Sequence, residues 1–203
     1  MISVHRAAAR FRTDQPGIST RHSFSSGRHY DPANLGFGPV VACDEHLLDP
    51  GAGFARHAHA RVELISWVLD GQLRHRGPGT GEHVIGPGQA QYQLAGAGIE
   101  HSEVNASDSQ PLHFLQLWLT TEEDVPDYDL TRPPLRTTSG AFDVWARATD
   151  DRLPDAGMHF VHAATGQWTV AGHELQSGDS VRAVGERVTV DGAGQLLVLA
   201  VDH

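Results

Sequence analysis

Apolar and polar residues alternate along several short segments of this chain. The alternation is clear in residues 62–69, 112–119 and 195–201, which are rich in Val, Leu and Ile. A period of two is typical of β-strands with one buried face. No segment shows the longer period of an amphipathic helix over about 12 or more residues. The pattern therefore predicts an all-β fold.

Glycine, proline and aspartate mark the turns between these segments. The Asp70-Gly71 pair separates two strand-like segments, residues 62–69 and 72–75. It predicts a hairpin, because a two-residue turn of this kind needs positive φ at both central positions and Asp-Gly tolerates that conformation. Gly86-Pro87-Gly88 predicts another turn.

A polar stretch with prolines, residues 121–134, interrupts the series of strands, which resumes at Phe142. This composition is typical of a linker. We therefore predict two domains, residues 1–125 and a smaller β domain of residues 135–203. The second domain repeats the short strands and glycine turns of the first, for example in residues 158–163, 167–170 and 180–184.

Composition excludes several classes of function. The formal net charge of −10 disfavours direct binding to nucleic acid, since phosphate backbones attract basic surfaces. No stretch approaches the roughly 20 apolar residues that span a bilayer, and no apolar leader follows the first basic residues. We therefore expect a cytoplasmic protein without a membrane segment. Cys43 is the only cysteine, so a metal would need His, Asp or Glu ligands.

Two pairs of potential metal ligands share the spacing of a strand. His57 and His59 are two residues apart, as are His101 and Glu103. Side chains two apart on a strand project to the same side, so two such strands could surround one ion with three imidazoles and a carboxylate. This ligand set suits Fe, Mn, Ni, Cu or Zn. Four protein ligands would leave an octahedral ion two further positions.

The glycines around these pairs fit the two motifs of the cupin fold. Gly51, His57-Ala58-His59, Glu63 and Gly71 approximate the first motif, with the last glycine one place late. Gly98, His101 and Asn105 fit the end of the second motif. The matches indicate a cupin β-barrel. In most cupins the glutamate of the first motif is a ligand, which would be Glu63.

Further runs narrow the resemblance to one family. They are His22-Ser23-Phe24-Ser25, Tyr30-Asp31-Pro32, Leu35-Gly36-Phe37-Gly38, Gly86-Pro87-Gly88, Ala95-Gly96-Ala97-Gly98-Ile99, His101-Ser102-Glu103 and residues 111–118. Over roughly residues 20–120 the chain resembles the pirin family. That resemblance implies a bicupin, here with a shortened C-terminal barrel. It also implies an N-terminal barrel that binds iron, Fe(II), through His57, His59, His101 and Glu103 rather than Glu63.

Some positions depart from the family pattern, and the resemblance assigns no role to others. Ala58 replaces the usual proline and Arg61-Val62 replaces an acidic residue and methionine, so the substrate is not indicated. Asn105 and His113 are candidates to orient the ligands, although packing or turn formation explains each of them equally well. His159, His162 and His173 lack strand spacing, and we expect no metal site beyond about residue 135.

Two functions follow from the resemblance. Bacterial pirins are similar to quercetin 2,3-dioxygenases, which implies an oxidoreductase acting on a small aromatic substrate and O2, with Glu103 taking the phenolic proton. The alternative is an iron-bound redox sensor read by a partner protein, although the sequence indicates no partner surface. A purely structural metal is a third hypothesis, but a structural site does not need open coordination positions on the metal.

Overall fold

The structure is a computed structural model, and it describes residues 1–77 and 81–202. The described residues contain one short 3-10 turn, Ala7–Ala9, and no α-helix. The strands in chain order are β1 (Ile2–His5), β2 (Phe11–Gln15), β3 (Ile18–His22), β4 (Val40–Leu48), β5 (Gly53–His59), β6 (Val62–Asp70), β7 (Leu73–Gly77), β8 (Gly81–Ile85), β9 (Ala90–Leu94), β10 (Ile99–Asn105), β11 (Leu112–Thr120), β12 (Asp127–Thr131), β13 (Leu135–Thr137), β14 (Gly140–Arg152), β15 (Met158–Val170), β16 (His173–Gln176), β17 (Ser180–Val184) and β18 (Thr189–Val201). The all-β prediction is confirmed.

The chain divides into two compact units. The central unit is Phe11–Arg132, and the terminal unit joins Met1–Arg10 to the chain from Pro133 onward. The first ten residues therefore belong with the C-terminal part of the chain, because β1 pairs with β17. The stretch interpreted as a linker contains β12, which pairs with β9 and extends a sheet of the central unit.

The central unit contains two antiparallel sheets. The larger has the strand order β12-β9-β6-β11-β4-β3-β2, and the smaller has the order β5-β10-β7-β8. Apolar side chains of both sheets pack together in one cluster, with Leu48 and Phe114 from the larger sheet against Leu73 and Ile85 from the smaller. Among the described residues, no backbone pairing joins the two sheets into a closed barrel. The space between the sheets is therefore the interior of the unit.

The hairpin predicted at Asp70-Gly71 is wrong. Strand β6 lies between β9 and β11 in the larger sheet, whereas β7 belongs to the smaller sheet, so the turn carries the chain from one sheet to the other. Gly71 has φ of 83°, and a Cβ there would lie 2.5 Å from the carbonyl oxygen of Pro111. Glycine is required because the chain turns sharply against the start of β11. The turn predicted at Gly86-Pro87-Gly88 is present between β8 and β9.

The terminal unit is a third sheet with the order β1-β17-β15-β18-β14-β13 and β16 paired to β15. The two segments predicted at residues 158–163 and 167–170 form one long strand, β15, with a register shift between Ala163 and Thr165. Its core includes Val161, Trp168 and Leu196, all buried.

Candidate metal centre

Three predicted ligands meet between β5 and β10. These strands are antiparallel neighbours in which His101 is opposite His57 and Ile99 is opposite His59. One ligand atom from each of His57, His59 and His101 lies within 4.8 Å of the other two. His59 and His101 are buried and His57 is half-buried. The period-two spacing of the sequence thus places all three imidazoles on the interior side of the sheet.

Hydrogen bonds determine which nitrogen of each ring carries the proton. His57 donates from Nδ1 to the carbonyl oxygen of Ala55 at 2.7 Å, and His101 donates from Nδ1 to the side-chain oxygen of Gln93 at 2.8 Å. Both acceptors are carbonyl oxygens, so Nδ1 must hold the hydrogen and Nε2 keeps a lone pair. These two Nε2 atoms are 3.1 Å apart. Two lone pairs at this distance repel each other unless a cation or proton lies between them.

The third imidazole has a nitrogen with nothing to bind. His59 Nε2 is buried and makes no hydrogen bond with any of the residues that the structure describes. A buried polar atom without a partner is costly and usually indicates an ion, a water or a ligand. His59 also packs edge-on against Trp118, with ring centroids 4.7 Å apart.

Electrostatics keep the two buried imidazoles neutral. Burial, together with repulsion from His101 and His57, lowers the pKa of His59 to about 4. Burial, together with His57 and His75, lowers the pKa of His101 to about 3. The charged form is disfavoured because it would be desolvated next to other imidazoles. Near neutral pH both rings therefore present lone pairs, which is the form that binds metal ions.

Glu103 reaches the same cluster but is held by other side chains. Its Oε2 lies 3.9 Å from His101 Nε2. The side-chain amide of Gln116 donates to both of its oxygens, at 2.8 and 2.9 Å, and Ser66 donates to Oε1 at 3.2 Å. A register shift between His101 and Glu103 accompanies this arrangement. The carboxylate is fully buried and faces the imidazoles.

Three further side chains, which no pattern in the sequence indicated, support the cluster: Gln93, His75 and Gln116. Gln93 Oε1 accepts from His101 and lies 3.2 Å from His75 Nε2. His75 Nε2 also lies 3.1 Å from His101 Nδ1, and its ring stacks on Tyr128 with centroids 5.2 Å apart. Burial lowers the pKa of His75 and raises that of Tyr128 to about 12. These residues lie on strands that are distant in sequence, and the strands are brought together only by the order in which they pair in the sheets.

The other candidates have different partners. Glu63 is fully buried and accepts a hydrogen bond of 2.7 Å from the Tyr92 hydroxyl, whose pKa is raised by burial and by this carboxylate. The Asn105 amide donates to the backbone carbonyls of Leu48, Asp49 and Gln110, so it holds loops rather than ligands.

His113 is paired with Glu45, with 2.8 Å between His113 Nε2 and Glu45 Oε1. It lies three positions from Gln116 along β11, which places it on the opposite face of the sheet.

A cavity of about 490 Å³ opens beside the cluster. His57, Glu103 and Gln116 line one part of it, and the rings of Phe54 and Trp118 supply apolar wall. A concave site with a few polar groups and aromatic walls is the usual form of a small-molecule pocket. The arrangement can therefore hold an aromatic ligand against the imidazole cluster.

The terminal unit contains His159, one of the three histidines that we expect not to bind metal. His159 is buried and donates from Nε2 to the carbonyl oxygen of Pro154 at 2.9 Å, and burial lowers its pKa. Within residues 1–77 and 81–202, the only group of three or more potential metal ligands this close together is His57, His59 and His101, in the central unit. The expectation that the terminal unit contains no metal site stays a prediction. No helix in the described part of the chain is long and apolar enough to cross a membrane.

Known proteins share this fold. The bacterial pirin YhhW of Escherichia coli, solved in complex with nickel(II), superposes with a TM-score of 0.88 over 100% of this chain and 99% of its own, at 24% identity. A quercetin 2,3-dioxygenase structure from Acinetobacter baumannii gives a TM-score of 0.74 over 99% of this chain and 79% of its own, at 17% identity. These likenesses confirm the predicted cupin fold.

Sequence comparison identifies the family. A Mycobacterium tuberculosis protein named as a candidate quercetin 2,3-dioxygenase is 34% identical over 209 residues, which cover 89% of this chain and 86% of that protein. The Escherichia coli protein named quercetin 2,3-dioxygenase is 31% identical over 134 residues, covering 65% of this chain and 58% of its own. The family model described as Pirin matches residues 4–119. The chain therefore belongs to the pirin family.

Proposed function

We propose that this protein is a metal-dependent dioxygenase of flavonol-like compounds, with iron as the metal and His57, His59, His101 and Glu103 as its ligands. The observation that carries the proposal is the convergence of unprotonated Nε2 atoms beside a cavity large enough for an aromatic ligand. The names of the sequence relatives from Mycobacterium tuberculosis and Escherichia coli support the same activity.

The residues fit a divalent ion. Two Nε2 lone pairs face each other at 3.1 Å, and a third buried Nε2 has no hydrogen-bonding partner, so one cation would satisfy all three. Neutral imidazole and carboxylate suit iron, and they also suit Mn, Ni, Cu and Zn. The nickel in the Escherichia coli pirin is consistent with this range of metals. Such an ion would act as a Lewis acid that lowers the pKa of a phenolic hydroxyl bound to it.

The protein's own groups then perform the remaining tasks. Glu103 is an acceptor at the cluster and takes the phenolic proton on its carboxylate. Gln116 holds that carboxylate in place, since its amide contacts both oxygens. Phe54 and Trp118 flank an aromatic ring and exclude water from it.

The cavity also bears on the alternative, an iron-bound redox sensor. A sensor needs a surface that a partner protein reads, whereas an enzyme needs a pocket that opens onto the metal. The cavity beside Glu103 therefore favours the enzyme.

The test combines metal analysis with oxygen consumption. Protein purified under anaerobic conditions is loaded in turn with Fe(II), Mn(II), Ni(II), Cu(II) or Zn(II), and its metal content is measured by mass spectrometry. We expect one ion per chain and oxygen uptake with quercetin in the iron-loaded form. Absence of oxygen uptake with any flavonol and any metal would overturn the enzyme and move the sensor ahead.

A further inference from the structure

A row of buried polar side chains crosses the larger sheet of the central unit. Direct cross-strand partners project to the same face of a sheet. The register makes His22 the partner of Asp44, Asp44 the partner of Gln116, Gln116 the partner of Ser66, and Ser66 the partner of Gln91. All five are at most 8% exposed. Gln116 in this row is the residue that holds Glu103. From Gln116 the row continues through Asp44 to His22, away from the imidazole cluster and toward the edge of the sheet formed by β2.

The far end of the row is a histidine paired with a carboxylate. His22 Nδ1 donates to Asp44 Oδ2 at 2.9 Å, because a carboxylate oxygen can only accept. In the neutral ring the opposite nitrogen, Nε2, carries a lone pair, and it lies 3.1 Å from the Thr13 hydroxyl. Among the described residues, no hydrogen bond joins this pair directly to His57, His59 or His101. A buried carboxylate fixed in this way holds the imidazole in a single tautomer.

The pair lines the same cavity as the cluster. His22, Asp44 and Thr13 border the space of about 490 Å³ that Glu103 and Gln116 also border. Neighbouring strands are about 4.8 Å apart, so β3 lies about 10 Å from β11 across β4. This is roughly the length of an aromatic compound of two to three rings. The apolar rings of Phe54 and Trp118 supply the wall of the same cavity.

We propose that the His22–Asp44 pair binds a hydroxyl group at the end of the aromatic substrate that is remote from Glu103. The hydroxyl donates to His22 Nε2, in place of the Thr13 hydroxyl, and the imidazole and carboxylate hold the acceptor in the required tautomer. The pair thereby selects flavonols with a hydroxylated pendant ring over those in which that ring is bare. The inference rests on the proposed function, because it assumes that the opposite end of the substrate lies at the imidazole cluster.

The experiment compares two ligands that differ only at the remote end. Quercetin carries hydroxyls on its pendant ring, and 3,5,7-trihydroxyflavone lacks them. Dissociation constants are measured by tryptophan fluorescence quenching with the iron-loaded protein in the absence of oxygen. We expect the parent protein to bind quercetin about tenfold more tightly, as one hydrogen bond to a paired imidazole would give. In His22→Phe the ratio should fall to about twofold or less, with one ion per chain retained.

His113→Phe is the matched control. His113 also pairs with a carboxylate and lies on a strand of the same sheet, but on the opposite face. This variant should keep the tenfold ratio. Asp44→Asn is the second test variant, in case His22→Phe fails to fold, because it preserves shape while removing the anion that fixes the tautomer. Its ratio should fall as well.

Two results would overturn the inference alone. One is equal binding of both ligands by the parent protein, and the other is an undiminished tenfold ratio in every folded variant of the pair. If the iron-loaded parent bound neither ligand, both the inference and the proposed function would fall.

Discussion

The side-chain amide of Gln116 contacts both carboxylate oxygens of Glu103, at 2.8 and 2.9 Å, across the interior of the central unit. Gln116 belongs to the larger sheet and Glu103 to the smaller, so this contact joins the two sheets at the candidate metal centre. The oxygen of the same amide accepts from the Trp118 indole at 2.7 Å. Gln116 therefore positions the carboxylate and an aromatic wall of the cavity at once.

Replacing Gln116 with Leu should destabilise the metal-free protein. The substitution leaves the buried Glu103 carboxylate with the Ser66 hydroxyl as its remaining hydrogen-bond donor among the described residues, and loss of a hydrogen bond to a charged group costs about 1.5 to 3 kcal/mol. We expect the free energy of unfolding in urea to fall by that amount. The control is Gln72→Leu, at an exposed position, which should change it by less than about 0.5 kcal/mol. Equal stability of the two variants would contradict the assigned contact.

Much of the fold can be predicted from the local pattern of apolar and polar residues. The wrongly predicted hairpin at Asp70-Gly71 shows where this pattern is insufficient. The strands at residues 62–69 and 112–119 were predicted because alternation depends only on neighbours along the chain. The Asp70-Gly71 hairpin was wrong because a sharp turn suits two adjacent strands and a passage between sheets equally well. What decides is that β9 and β11 already occupy both sides of β6. Strand partners distant in sequence cannot be inferred from a turn.

The candidate site divides in the same way. His57, His59 and His101 were identified by spacing, and the structure brings their imidazoles together; their role as metal ligands stays a prediction, as does that of Glu103. Gln93 and Gln116 had no such signal. Each acts through the register between its strand and the rest of the sheet, and register is set by the assembled core rather than by local sequence.

Replacing Gln93 with Leu should weaken metal binding. Gln93 accepts the Nδ1 hydrogen of His101 and so directs the lone pair of Nε2 toward the cluster. Loss of such a supporting partner typically lowers metal affinity by about 10- to 100-fold. Competition with a chelator of known affinity would measure the change.

Gln91→Leu is a closely matched control for that experiment. Gln91 lies two residues earlier on the same strand and faces the same side, and both of its buried amide atoms lack hydrogen-bonding partners within the described part of the chain. Metal affinity should be unchanged in this variant. A comparable loss in both would mean that general packing, not the His101 contact, is responsible.

Asp179 should stabilise the terminal unit in a pH-dependent manner. Burial alone would raise its pKa, but the Ala7 and Gln176 backbone amides and the Arg6 guanidinium outweigh it and lower the pKa below its ordinary value. Stability from such a group is present above the unfolded pKa of about 3.9 and is lost as the pH falls through the lower folded pKa. Asp179→Asn should therefore cost about 1 to 3 kcal/mol near pH 7. Urea unfolding should show this cost shrinking below about pH 4, and a cost independent of pH would contradict it.

Replacing Glu103 with Gln should distinguish a proton acceptor from a ligand that only holds the ion. Glu103→Gln keeps the size of the side chain and one oxygen that can accept from Gln116, so the packing between the sheets should survive. The amide cannot take a proton as a carboxylate does. Oxygen uptake with quercetin should therefore fall at least about 100-fold, which is the lower end of what general acid–base groups contribute. Metal content should fall far less.

His57→Ala provides the contrast. It removes an imidazole whose Nε2 lies 3.1 Å from that of His101, so one lone pair of the cluster is lost. Metal content and oxygen uptake should then fall together, since activity requires the ion. Both quantities are measured on the same preparations, by mass spectrometry and with an oxygen electrode. If iron-loaded Glu103→Gln consumed oxygen at the parent rate, the proton would have another acceptor, because the substituted side chain has no basic oxygen to offer.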